Sequence, residues 1–245
     1  MVSRQTMERK SVVSDKPFDE HAAEYDSWFL QNRNVLQSEV ELLAGALKEP
    51  GKALSVGCGS GLFEMILREG HDIDIRFGVE PAEGMAEIAE KRGMEVQIGP
   101  AEGLPFDDES FDTVVFNGTP SYIGDLRKAF SEAYRVLRPG GSVVVADVPA
   151  ESSYGTLYRL AAMIGTWDDE SLRAIAPAVP YPMEFAAAAN WRTTQEKLDL
   201  LDEVGFTVGE TTQTLTVHPK YSDDAAEAPI PGHDRGDYVA IRARK

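Results

Sequence analysis

Cysteine is almost absent from this chain of 245 residues, in which Cys58 is the single example. One cysteine excludes an internal disulfide and a cysteine-based metal cluster, and no other metal-binding pattern is present. Long apolar runs are also missing, since no stretch approaches the roughly 20 consecutive apolar residues that span a bilayer. The opening MVSRQTMERKSVV has no apolar core of a signal peptide. We therefore expect a cytoplasmic protein with no membrane partner.

Positive charge is scarce as well. Lysine and arginine number 24 against 41 aspartates and glutamates, which gives a formal net charge of −17 and a pI near 4.6. Such a surface repels phosphate backbones, so we expect no nucleic-acid partner. Hydrophobic residues at 42% are ordinary for a globular protein, and the length suits one large domain rather than two.

Short apolar runs alternate with helical patterns along most of the chain. KALSV, DIRFGV, FDTVVF and SVVVAD are apolar segments typical of strands buried on both faces, and with residues 95–98, 206–217 and 237–243 they predict seven strands. Helical patterns fall between them, and one or two more helices are predicted between residues 18 and 47. This alternation predicts an α/β fold with a mostly parallel sheet and helices on both faces.

The same patterns divide the predicted domain 1–245 into four parts. Residues 1–50 form a helical cap that begins with a loose arm over 1–16, and residues 51–149 form a cofactor-binding core. Residues 150–192, which are interrupted by prolines, form an inserted lid. Residues 193–245 supply a C-terminal helix and two strands, which are joined by the acidic segment HPKYSDDAAEAPIPGHDRG that we expect to be an exposed loop.

The strongest local signal is the segment LSVGCGSG, in which a glycine-rich turn follows a buried strand and opens a helix. Glycines in such a turn let the backbone bend tightly and let a ligand approach bare peptide groups. Glu80 at the tip of the second predicted strand could accept hydrogen bonds from both hydroxyls of a ribose. Together they predict a nucleotide site.

Two nucleotide cofactors fit this pattern, NAD and S-adenosylmethionine. The dinucleotide fingerprint is G-x-G-x-x-G, with a diphosphate at the helix N-terminus. This chain has G-x-G-x-G followed by Phe63 and Glu64, and a glutamate in the first helical turn opposes a diphosphate. The spacing favours S-adenosylmethionine over NAD, with a Rossmann oxidoreductase as the rival.

Five blocks resemble the class I S-adenosylmethionine-dependent methyltransferases, and specifically the ubiquinone- and menaquinone-biosynthesis-like group of small-molecule enzymes (Methyltransferase type 11). They are FDEHAAEYDSWF, LSVGCGSG, VEPAEGMAEIAEKRG, GPAEGLPFDDESFDTVVF and LRKAFSEAYRVLRPGGSVVVADV, in that order. The resemblance implies a Rossmann-like seven-stranded sheet with an antiparallel last strand.

The resemblance also implies a set of cofactor contacts. In it Gly57, Cys58, Gly59 and Gly61 border the methionine part, Glu80 holds the ribose, and Pro81 and Met85 pack on the adenine. Ala101 offers its backbone N–H to the adenine beside Glu102, Asn117 and Gly118 approach the sulfonium, and Tyr25 closes over the site. The group usually has an acidic residue at the position of Pro100, so this chain departs from it in adenine recognition.

The range of possible methyl acceptors is narrowed by excluding known classes. The strand end FNGTPSY lacks the Asn/Asp-Pro-Pro-aromatic run of DNA amino-base methyltransferases, and one cysteine is too few for an arsenite methyltransferase. A small organic acceptor remains, with a monomer or homodimer as the assembly. His21 is the candidate general base, and a cofactor-binding protein without transferase activity is the alternative, which a filled or sealed lid would favour.

Aromatic side chains are the candidates for the acceptor pocket. Trp28 and Phe29 follow Tyr25 on the predicted N-terminal helix, where helical spacing equally suits a core position. Four more aromatics fall in or near the predicted lid, and inserted segments over a site commonly set specificity. They are Trp167, Tyr181, Phe185 and Trp191.

Overall fold

The computed structural model describes Phe18 and residues 21–245, so the predicted arm over residues 1–16 lies outside the described residues. The helices are α1 (Ala22–Gln31), α2 (Arg33–Ala46), α3 (Leu62–His71), α4 (Glu83–Lys91), α5 (Leu126–Val136), α6 (Ser153–Ile164), α7 (Glu170–Arg173), α8 (Met183–Ala188) and α9 (Thr194–Val204). The strands are β1 (Ala53–Val56), β2 (Phe77–Glu80), β3 (Glu95–Ile98), β4 (Phe111–Asn117), β5 (Leu137–Asp147), β6 (Thr207–Thr214), β7 (Ile230–Pro231) and β8 (Tyr238–Arg244).

The strands form one sheet in the order β3-β2-β1-β4-β5-β8-β6-β7. Strands β1 to β5 are parallel, and the final strand β8 runs antiparallel between β5 and β6. The predicted Rossmann-like, mostly parallel sheet with an antiparallel last strand is therefore confirmed. Because the strand order reverses at β1, the loop after β1 opens onto the crevice where ligands bind in this class of sheet.

Alternating side chains of the strands divide the core into two layers. On β4, Val115 packs with the layer that contains helices α1, α2, α3 and α6. Its neighbours Val114 and Phe116 pack with the opposite layer, which contains α5 and α9. Both faces are therefore covered, as the uninterrupted apolar strands predict.

The acidic segment before β8 is not the freely exposed loop that its composition predicts. It contains the short strand β7, which pairs with β6 at the sheet edge as an eighth strand. Asp223 accepts hydrogen bonds from the backbone N–H groups of Asn34 and Val35, at 2.7 and 3.1 Å. A carboxylate on these first amides satisfies donors that the helix cannot. The segment is thus anchored to α2, which a local reading of its composition cannot reveal.

Candidate functional site

A cavity of about 270 Å³ lies at the carboxyl ends of β1, β2 and β4. Ten of the twelve predicted cofactor residues line it: Tyr25, Gly57, Gly59, Glu80, Pro81, Met85, Ala101, Glu102, Asn117 and Gly118. We call this the cofactor cavity. Five further lining residues were not predicted as contacts: Phe18, Pro100, Thr119, Tyr122 and Ile123. The contacts implied by the family resemblance therefore include most of the cavity wall.

Glu80 ends β2 with its carboxylate held in a fixed orientation. One oxygen accepts the Gly59 backbone N–H at 2.8 Å, and the other accepts the Ala82 N–H at 3.0 Å. The assignment of Glu80 to the ribose hydroxyls stays a prediction. Glu80 is 6% exposed. It therefore holds the glycine loop through the Gly59 amide and also lines the cavity.

The glycine loop needs glycine for a steric as well as a conformational reason. Gly57, Gly59 and Gly61 all have positive φ, between 54° and 70°. A Cβ on Gly57 would lie 2.0 Å from the Thr119 Cγ2 atom. The Thr119 hydroxyl in turn donates to the Val56 carbonyl at 3.0 Å. Thr119 itself lines the cofactor cavity, so it packs against the turn at the cavity wall.

Two predicted cofactor residues do not line the cofactor cavity. Cys58 borders a neighbouring space of about 20 Å³ beside the glycine loop. Burial, together with Glu64 and Glu80, raises the pKa of its thiol, so it stays protonated. A Cβ on Gly61 would meet the Met94 sulfur at 2.8 Å, so this glycine serves close packing behind the loop. Neither finding tests their contact with the methionine part, which stays a prediction.

Helix α1 brings Tyr25 over the cavity because the next residue is tied to the loop. The Asp26 carboxylate accepts hydrogen bonds from the Ser60 hydroxyl and, at 2.6 Å, from the Arg92 guanidinium. Arg92 also donates to the Ser60 carbonyl at 2.8 Å. Three separate elements therefore meet at one carboxylate, which positions the helix that carries Tyr25.

A second cavity of about 60 Å³ adjoins the first, and we call it the acceptor cavity. The two cavities share the lining residues Tyr25, Asn117, Gly118 and Tyr122. Its wall is mainly aromatic: Tyr25, Trp28, Phe29, Phe63, Tyr122, Tyr154, Tyr158, Tyr181, Trp191 and Tyr238. Burial raises the pKa of each of these tyrosines, so their hydroxyls stay protonated.

Residues of the predicted lid supply part of this wall. Tyr154, Tyr158, Tyr181 and Trp191 line the cavity from that segment. Of the aromatic candidates, Trp28, Phe29, Tyr181 and Trp191 line it, whereas Trp167 and Phe185 stand behind it. The Trp167 indole donates to the Tyr181 carbonyl at 2.8 Å, and Phe185 stacks on Phe18. A space of about 60 Å³ therefore lies beside this segment.

Two carboxylates, Glu39 and Asp147, also line the acceptor cavity, and sequence patterns gave no signal for either. Asp147 forms a 2.8 Å ion pair with Lys197 and accepts the Ser121 hydroxyl at 2.8 Å. Glu39 is 5% exposed, and no hydrogen bond or ion pair holds its carboxyl within the part of the chain that the structure describes. Burial, and then the charge of Asp147, raises the pKa of Glu39 well above the ordinary value.

His21 lies at the start of α1, outside both cavities. Its ring nitrogen is 3.5 Å from a Glu24 carboxylate oxygen, and the ring stands edge-on to Phe185. Its role as a general base stays a prediction. Over Phe18 and residues 21–245, no group of three acidic, histidine or cysteine side chains could hold a metal ion. Over the same residues, no helix has both the length and the apolar character that crossing a membrane requires.

Comparisons with known proteins agree with this geometry. Residues 54–145 match the family model described as a methyltransferase domain. An uncharacterised protein of Methanocaldococcus jannaschii is 31% identical over 229 residues, which are 93% of this chain and 98% of that one. A demethylmenaquinone methyltransferase of Thermus thermophilus is 35% identical over 121 residues, which are 46% of this chain and 55% of that one.

A solved structure extends the likeness to the whole fold. It is a S-adenosylmethionine-dependent methyltransferase of Thermotoga maritima, described as a possible histamine N-methyltransferase. It is 34% identical, superposes with a TM-score of 0.79, and covers 93% of this chain and 98% of its own. The sheet order, the glycine loop and these relatives together show that the chain belongs to the class I S-adenosylmethionine-dependent methyltransferases.

Proposed function

We propose that this enzyme transfers the methyl group of S-adenosylmethionine to a small organic acceptor held in the acceptor cavity. The observation that carries the proposal is the meeting of two cavities at Tyr25, Asn117, Gly118 and Tyr122. One cavity has the residues of a nucleoside site, and the other is aromatic and partly covered by residues 150–192. Ligand sites of this kind are concave, mostly apolar and carry few polar groups.

The fit to the cofactor rests on the donors and acceptors that line the first cavity. In our assignment Glu80 accepts the ribose hydroxyls, Met85 and Pro81 pack on the adenine, and Ala101 offers its N–H to the ring. Glu102 is less available to the adenine, because one of its oxygens accepts the Asp125 N–H at 3.1 Å. Pro100 lines the same cavity and has no donor or acceptor in its side chain.

The protein's part in the reaction is positioning. The cofactor supplies an activated methyl on a positively charged sulfur, which moves by in-line displacement. A lone pair of the acceptor forms the new bond as the carbon–sulfur bond breaks, and the electrons of that bond stay on sulfur. A proton on the accepting atom then leaves to water. Holding the two reacting atoms about 3 Å apart and aligned supplies most of the rate enhancement.

Calorimetric titration followed by a turnover assay tests the proposal. The protein is titrated with S-adenosylmethionine, S-adenosylhomocysteine and NAD in parallel. Formation of S-adenosylhomocysteine is then measured with a panel of small amines, thiols, alcohols and carboxylates that includes histamine. We expect binding of the two sulfur compounds alone, and turnover with one chemical class. Cofactor binding without turnover across the panel would contradict the transfer step and favour a binding protein.

A further inference from the structure

We propose that the acceptor is a compact organic cation whose charged head is anchored by Glu39, while a second, nucleophilic atom of the same molecule faces the cofactor. This inference rests on the function proposed above and specifies its substrate class. It follows from the two carboxylates of the acceptor cavity, which differ in their partners.

Asp147 already has an ion-pair partner within the protein. Lys197 and Asp147 are 3% and 4% exposed in their side chains, and their charged atoms are 2.8 Å apart. This pair has no net charge to offer a ligand. Glu39 lacks such a partner among the described residues, although it is 5% exposed. A buried carboxylate is costly unless it is paired, so a cationic ligand would supply the missing partner.

The surroundings of Glu39 also suit a cation. Five tyrosines line the same cavity as Glu39, namely Tyr25, Tyr154, Tyr158, Tyr181 and Tyr238. Aromatic faces attract organic cations, and more strongly when both are removed from water. The net charge of −17 also favours the approach of cations to the protein.

The position of Glu39 places the charged group of the proposed acceptor away from the atom that receives the methyl group. Glu39 lines the acceptor cavity but not the cofactor cavity, whereas Asn117 and Gly118 line both. A protonated amine at Glu39 has no lone pair and cannot accept the methyl. The accepting atom therefore belongs to the other end of the molecule, at the junction of the cavities. The volume of about 60 Å³ limits that molecule to a compact one.

The test uses three thiols that share a nucleophile and differ in their heads. Cysteamine has a cationic head, 2-mercaptoethanol a neutral one and mercaptoacetate an anionic one. Affinity is measured by ligand-detected NMR titration of the complex with S-adenosylhomocysteine. The variants are Glu39→Gln and, as matched control, Glu41→Gln, which changes a half-buried carboxylate on the same helix that lies 3.7 Å from His71.

We expect the native protein and Glu41→Gln to bind cysteamine at least about tenfold more tightly than 2-mercaptoethanol, which corresponds to about 1.4 kcal/mol. In Glu39→Gln this preference should fall below about twofold, with unchanged affinity for S-adenosylhomocysteine. The inference is overturned if the native protein does not bind cysteamine or binds it no more tightly than 2-mercaptoethanol. It is also overturned by a preference that survives in Glu39→Gln.

Turnover separates this inference from the proposed function. Cysteamine binding that depends on Glu39, without formation of S-adenosylhomocysteine from S-adenosylmethionine across the acceptor panel, supports the cation site and refutes the transfer. Turnover with cationic acceptors that is equal in the native protein and in Glu39→Gln supports the transfer and refutes the cation site.

Discussion

The buried ion pair between Lys197 and Asp147 gives the sharpest stability prediction. Lys197 lies on α9 and Asp147 at the end of β5, and both side chains are at most 4% exposed. Replacing Lys197 by methionine keeps the apolar stem but leaves Asp147 with Ser121 as its hydrogen-bond partner. Removing one partner of a buried pair typically costs about 3–5 kcal/mol, since the remaining charge is uncompensated. We expect Lys197→Met to lower the free energy of unfolding by that amount.

Urea unfolding followed by circular dichroism measures this loss. Lys48→Met is the matched control, because the Lys48–Glu210 pair is 3.4 Å long with side chains 64% and 74% exposed. An exposed pair contributes about 0–1 kcal/mol. The double variant Asp147→Asn/Lys197→Met should recover most of the loss, because no buried charge remains. A loss for Lys197→Met as small as that for Lys48→Met would refute the reasoning.

Three further predictions concern the two cavities. Glu80→Ala should weaken S-adenosylmethionine binding more than Glu80→Gln does, because glutamine keeps one acceptor oxygen for the Gly59 amide or the ribose. Equal affinities of the two variants for S-adenosylmethionine, measured by calorimetry, would exclude the ribose contact. Gly57→Ala should lower the free energy of unfolding by about 2–5 kcal/mol, from positive φ and the clash with Thr119. Gly59→Ala, which meets no atom within 4 Å, should lower it by about 1–2 kcal/mol, and equal losses in urea titrations would contradict the clash. Because the pKa of Glu39 is raised, its carboxyl group binds a proton more tightly in the folded protein than in the unfolded chain, and it lowers the free energy of unfolding as the pH rises above 4.5. Glu39→Gln should therefore have a higher melting temperature than the native protein at a pH of about 8. A difference in melting temperature that persists below pH 4.5 would contradict the burial argument.

Local patterns were sufficient for the parallel sheet, the glycine turn and Glu80, whereas the other predicted residues of the cofactor cavity came from the resemblance to the family. Apolar strands, a glycine turn and Glu80 all follow from residues close together in sequence, because the strand–turn–helix unit builds this half of the site. Spacing could not show that Cys58 and Gly61 are absent from the lining of the cofactor cavity. Their surroundings depend on Met94 and Gly78, which approach from other elements.

Most residues of the acceptor cavity could not be predicted from sequence patterns. Glu39 belongs to an amphipathic helix, where a glutamate ordinarily faces water, and Asp147 ends a strand with no motif around it. Their burial depends on α2, β5, β8 and residues 150–192 packing around one space, and the ion pair joins residues of α9 and β5. The sequence by itself determined the class of fold and the cofactor, because those depend on short-range backbone geometry. The tertiary structure alone decided that Asp147 pairs with Lys197 and that Glu39 lines the same cavity without such a partner among the described residues, because these features depend on contacts between distant segments.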